Sequence, residues 1–243
     1  MHPRLVLRGK HGWTFVLTGL ECRCVGDPDK TIVRQDLAFR SLGVLALFSG
    51  AALVTHIVSG FSLPLALLVA ALVVTLGLGV RWRRSSLQGR KKMVRFAKVG
   101  LGAGLLATVF YDVSKFLLSQ WDDSLYNPFE VVRMFGLLLA GSAAPTSVIY
   151  VTGVGFHLLN GIFFGVAFCF FFGRRGVLAG VAWGFCLELF QLSLYPGWLN
   201  ITFYSEFLQI SALSHLVYGA VLGLLCQQSL RGGQTAWERK PDG

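Results

Sequence analysis

Apolar residues run nearly unbroken through six stretches of the chain, at roughly 42–60, 62–80, 99–119, 147–172, 177–195 and 208–229. Each is close to the ~20 residues that an α-helix needs to cross about 30 Å of hydrocarbon, so six membrane-spanning helices are predicted. A further apolar stretch, Val131 to Ala144, is too short to cross unaided and is closed by Pro145. It predicts a re-entrant or interfacial helix rather than a seventh span. The first forty residues follow another rhythm. Apolar and polar residues alternate around Arg4-Leu5-Val6-Leu7-Arg8 and Trp13-Thr14-Phe15-Val16-Leu17, which predicts two or three short strands. Gly26-Asp27-Pro28-Asp29 then breaks the pattern, and Thr31 to Arg40 could form a short amphipathic helix leading to the bilayer.

The expected fold is an all-α membrane protein with a small β-containing N-terminal tail. Its parts are the tail at 1–40, a first hairpin at 41–80, a basic linker at 81–98, a second hairpin at 99–172 carrying the 131–144 insert, a third at 173–229, and a C-terminal tail at 230–243. No apolar run long enough for a signal-peptide core precedes residue 41, so the first span is expected to act as its own insertion signal.

Composition agrees with the pattern. Hydrophobic residues make up 54% of the chain and charged ones only 14%, where a soluble domain carries about 25% charge. The net charge of +10 would suggest nucleic acid in a soluble protein. Here the cations gather at Arg81, Arg83, Arg84, Arg90, Lys91, Lys92, Arg95 and Lys98, at Arg174 and Arg175, and at Arg231, Arg239 and Lys240. With six spans these all face one side, so the positive-inside rule explains them, both termini are predicted to be cytoplasmic, and no nucleic-acid partner is expected. The opposite loops hold Asp122, Asp123, Glu130 and Glu206, with Arg133 the only base nearby. The Arg81–Lys98 cluster is expected to hold anionic lipid headgroups, with Trp82 at the interfacial belt.

The later spans share a pattern. One reads Gly104-x3-Thr108-x3-Asp112 and another Gly180-x3-Gly184-x3-Glu188, each a ridge of small residues ending in an acid. Between and after them stand His157-x2-Asn160-Gly161-x3-Gly165 and His215-x2-Tyr218-Gly219-x3-Gly223. The hairpins 99–172 and 177–229 therefore look like copies in the same orientation, a parallel repeat about an axis along the membrane normal. Residues four apart share one helix face, so each ridge allows close backbone approach and carries its acid against another helix. An ionisable group in that position is costly unless partnered. The expected pairs are Asp112 with His157 and Glu188 with His215, and Tyr111, Lys115, Asn160, Gln191 and Tyr218 are the candidates for the surrounding polar shell. The plainer alternative is that each group simply hydrogen-bonds a neighbouring helix.

The remaining signals are local. The two histidines and two acids could hold a divalent metal only by tertiary convergence, because no His-Glu-x2-His spacing is present. No cofactor-binding motif is present, and none is expected. Lys115 can pair with Asp112 or extend away from it. His56 is expected to be a buried hydrogen-bonding residue. Cys22 and Cys24 share a strand face without completing a site, and five cysteines imply no disulfide framework. Asn200-Ile-Thr202 matches a glycosylation acceptor, relevant only in a eukaryotic secretory pathway.

His215-Leu-Val-Tyr-Gly-Ala-Val-Leu-Gly and Trp183-Gly-Phe-Cys-Leu-Glu-Leu resemble segments of small, uncharacterised bacterial polytopic membrane proteins that end in a His-x2-Tyr-Gly-x3-Gly helix. The likeness covers about the last 130 residues. It implies a bacterial inner membrane and no assigned activity. Three functions are expected to compete: binding or conduction of an ion, proton or small solute through a polar cavity between the hairpins; a structural or partner-binding subunit, with a homo-oligomer or a membrane partner; and an intramembrane enzyme using a metal or a His–acid pair on a lipid.

Overall fold

The computed structural model describes residues 5–8, 14–18, 21–25, 39–121, 126–199 and 203–238. They divide into two compact units, Met1–Ser41 and Leu42–Gly243. In the first, β1 (Leu5–Arg8), β2 (Thr14–Thr18) and β3 (Glu21–Val25) pair in antiparallel order β1-β2-β3, with Val6 opposite Val16 and Leu17 opposite Cys22. Of the amphipathic helix expected over 31–40, residues 31–38 lie outside the described ones.

From Phe39 on, the described elements are all helical. They are α1 (Phe39–Ala46), α2 (Phe48–Ser59), α3 (Leu63–Arg84), α4 (Leu87–Trp121), α5 (Glu130–Ala140), α6 (Thr146–Phe172), α7 (Val177–Leu199) and α8 (Tyr204–Glu238). Five of these helices are long and apolar enough to cross a membrane, and α1 with α2, bent by 49° at Leu47, reaches that length and apolarity only when the pair is taken together. The described chain is thus a multi-pass helical architecture of five to six spans.

One segment differs from the sequence expectation. The basic segment 81–98 is not an open linker. α3 runs through Arg84 and α4 starts at Leu87, because Arg, Lys and Gln favour helix. Ser86 caps the new helix by accepting the Gly89 N–H at 3.2 Å. The insert is an 11-residue helix, about half the length needed to span. α5 buries Val132, Phe135 and Gly136 against α6, where a side chain on Gly136 would strike the Ile149 carbonyl and one on Gly153 the Val132 carbonyl. Its backbone therefore lies directly on that of α6, antiparallel to it. The sharp turn between α6 and α7 needs a left-handed residue, supplied by Gly176 at φ 81°.

α4 packs along both α6 and α8, α7 along α8, and α2 chiefly on α3. α6 and α7 meet near their shared turn, where Trp183 stands against Phe168, Phe171 and Phe172. One end of the bundle collects most of the described cations: Arg95 donates to the Leu230 carbonyl at 2.9 Å, and the Arg174 guanidinium lies 5.8 Å from the Phe96 ring. The other end carries the Glu130–Arg133 ion pair at 3.1 Å, and Glu206 there accepts the Tyr126 N–H at 3.0 Å. Asp122, Asp123, Arg239 and Lys240 lie outside the described residues.

Candidate functional site

The site is set by helix register. A side chain on Gly161 would strike Thr108, and a Cβ on Gly165 would stand 2.5 Å from the Gly104 Cα, so α4 and α6 touch through their small residues. In α7 and α8, a Cβ on Gly180 would stand 2.8 Å from the Gly223 Cα, and one on Gly184 would strike the His215 carbonyl. The two hairpins share one register. In each, the acid faces the histidine, the residue four before the acid faces the glycine four after the histidine, and the next pair follows at the same interval. Close backbone approach leaves little freedom to the side chains just beyond the ridge.

Both expected pairs form. His157 Nε2 lies 2.9 Å from Asp112 Oδ1, and His215 Nδ1 lies 2.6 Å from Glu188 Oε2. Their surroundings differ. Asp112 and His157 keep 29% and 20% of their side-chain surface exposed, whereas Glu188 is 2% exposed and His215 12%. Ser211 donates its hydroxyl to Glu188 Oε2 at 2.8 Å and accepts from Gln191 Nε2 at 2.9 Å. His215 Nδ1 also faces the Ser211 carbonyl at 3.0 Å. Two acceptors on one nitrogen require that Nδ1 carry the hydrogen, which leaves Nε2 as the proton-accepting nitrogen of the neutral ring. Glu188 Oε1 is buried without a hydrogen-bond partner.

Tyr111 joins the pairs. Its ring centroid lies 5.8 Å from that of His157 and 4.8 Å from that of His215. One helical turn further on, the buried Lys115 ammonium stands 5.5 Å from the Tyr111 ring and 5.9 Å from the Tyr126 ring. A cavity of about 110 Å³, with room for several water molecules, is lined by Tyr111, Asp112, Lys115, His157, Asn160, Gln191, His215 and Tyr218. Every candidate from the sequence but Glu188 thus lines it, and Glu188 stands behind His215. Tyr218 crosses between the hairpins to donate to the Gly161 carbonyl at 2.7 Å. Asn160 Nδ2 donates to the Phe156 carbonyl at 3.1 Å, while its Oδ1 is buried without a partner.

Apart from Thr108 and Tyr195, the remaining walls are apolar. α2 contributes Gly50, Leu53, Val54 and Ile57, and α5 contributes Val131, Val132 and Phe135. His56 stands apart, half-buried, with Nδ1 2.8 Å from the Phe61 carbonyl. Sequence reasoning missed Ser211, though its place one turn before His215 puts it on the same face. It also missed Tyr126 and Tyr195, which no local pattern marks. Among the described residues no three His, Cys, Asp or Glu side chains gather as a metal site. Asn200-Ile-Thr202 lies outside the described residues, as do the side chains of Cys22 and Cys24.

No protein-family model, curated protein or solved structure matches the chain.

Proposed function

We propose that this chain is an inner-membrane protein, with its basic face cytoplasmic, that binds and passes a proton, or a small cation in its place, through the cavity between two repeated hairpins. One observation carries the reading: two carboxylate–imidazole pairs, at 2.9 and 2.6 Å, converge on a single tyrosine beside a water-sized cavity. Charge counting supports it. Asp112 and Glu188 supply two negative charges and Lys115 one positive, while Tyr111, Tyr126, Tyr195 and Tyr218 contribute none in their neutral forms. A neutral cavity in a low-dielectric setting therefore takes up one more positive charge, and an imidazole is the natural holder. The unpartnered Glu188 Oε1 is a second place where a proton satisfies a buried acceptor.

The matching registers support the parallel repeat, and transporters put their sites at such repeat interfaces. The segregation of cations to one end supports the orientation. In proteoliposomes loaded with a pH-sensitive dye, the protein is expected to dissipate an imposed pH gradient. Asp112→Asn with Glu188→Gln is expected to lower that rate at least about tenfold. An unchanged rate in the double variant refutes the proposal. A second reading draws on the tautomer of His215, whose Nε2 is oriented as a general base by Glu188. On that reading the apolar cavity walls take a lipid substrate, and chemical turnover of bilayer lipid by the purified protein distinguishes it.

A further inference from the structure

A second cleft lies at the basic end of the bundle, remote from the paired acids and histidines. α3 and α4 meet at Ser85–Ser86, but α3 packs chiefly on α2 while α4 packs on α6 and α8, so the two diverge from their turn. A groove of about 530 Å³ runs along α4 beside the end of α3, lined by Trp82 of α3 and by Leu87, Arg90, Lys91, Val94, Arg95, Lys98 and Val99 of α4.

Its chemistry is divided. Trp82, Leu87 and Val94 are exposed apolar surfaces facing an open cleft. Arg90 is fixed beside them, donating Nε–H to the Trp82 carbonyl at 3.0 Å with its guanidinium 5.3 Å from the indole centroid. Lys91 and Lys98 are exposed, two helical turns apart on one face. Among the described residues none of the cleft's cations forms an ion pair with a carboxylate. A cleft between spanning helices is filled by lipid, and cations without counter-ions select among lipids by headgroup charge.

We propose that the α3–α4 cleft is a binding site for an anionic glycerophospholipid. Its phosphate is held by Arg90, Lys91 and Lys98, Trp82 and Leu87 lie beside the headgroup at the turn, and an acyl chain runs inward over Val94 and Val99. Arg95, engaged with the α8 carbonyls, fixes the wall of the cleft rather than the phosphate.

Native mass spectrometry of the full chain in detergent, titrated with phosphatidylglycerol or phosphatidylcholine, tests this. The expected result is a saturable adduct with phosphatidylglycerol that phosphatidylcholine does not compete away. Lys91→Gln with Lys98→Gln is expected to weaken it by roughly 30-fold, about fivefold for each lost surface cation. Lys91→Arg with Lys98→Arg is expected to retain it. Both lysines are exposed, so the lipid-free unfolding temperature of the glutamine variant is expected to match that of the parent. Equal retention of the two lipids, or an unweakened adduct in the glutamine variant, overturns the proposal. So does equal competition by soluble glycerol phosphate, because the site would then be one for free phosphate. None of these readouts depends on proton flux, so either proposal can fail alone.

Discussion

The α4–α6 and α7–α8 hairpins put an acid and a histidine together by the same glycine register, yet they dress the pair differently. Glu188 and His215 are buried, and Ser211 and Gln191 complete a hydrogen-bond chain around them. Asp112 and His157 remain partly exposed at the cavity, with no further side-chain hydrogen bond among the described residues. Backbone register thus decides which groups meet, and the neighbouring side chains decide how tightly the charge is confined. The buried pair is held in place on its Oε2 side while Oε1 stays unsatisfied, whereas the half-exposed pair exchanges with water at low cost.

The contrast can be broken in graded steps. The largest effect is expected at the ridge itself. Gly219→Leu drives a side chain into the Gly180 carbonyl and should abolish the folded fraction in fluorescence-detected gel filtration, whereas Gly155→Leu, which meets nothing, should leave it intact. Next comes the inequality of the two acids. Glu188→Ala strands His215 in a buried site and is expected to cost about 3–5 kcal/mol, while Asp112→Ala should cost about 1 kcal/mol or less, as read from detergent-solubilised unfolding curves. Equal costs would erase the distinction between the pairs. An effect as small as that of Asp112→Ala is expected at the bridge between hairpins. Tyr218→Phe removes one hydrogen bond to the Gly161 carbonyl and should lower stability by about 1 kcal/mol in the same assay, with both pairs intact.

The two pairs are legible in the sequence because they obey the four-residue period of a helix face. Gly180, Gly184 and Glu188 announce a contact ridge by their spacing alone, and His215, Gly219 and Gly223 announce its complement. What is not legible comes from contacts between hairpins. Nothing in the spacing of Tyr111 says that it stands against both imidazoles, because that follows from α4 packing on α8. The unequal exposure of Asp112 and Glu188 has the same origin. Nor does the bend at Leu47 show, since Ala46-Leu47-Phe48 is as apolar as any uninterrupted helix. The basic segment after Trp82 reads as an open linker because charge marks the membrane edge. Charge does not end a helix, and α4 continues through it.

The bend at Leu47 separates α2 from the helix before it, and Gly60 ends α2 one residue past Ser59. Leu53, Val54 and Ile57 in that short piece form one wall of the cavity, yet no hydrogen bond holding either pair comes from it. Its hold on the bundle is apolar: Gly50 under Phe164, Phe48 edge-on to Phe163, and the face against α3. Such contacts are exchanged for hydrocarbon in a bilayer at little cost. The chamber is therefore built like a room whose partition is independent of its wiring: α2 closes one side of the cavity, and the contacts that hold the two acid–histidine pairs run through α4, α6, α7 and α8 alone.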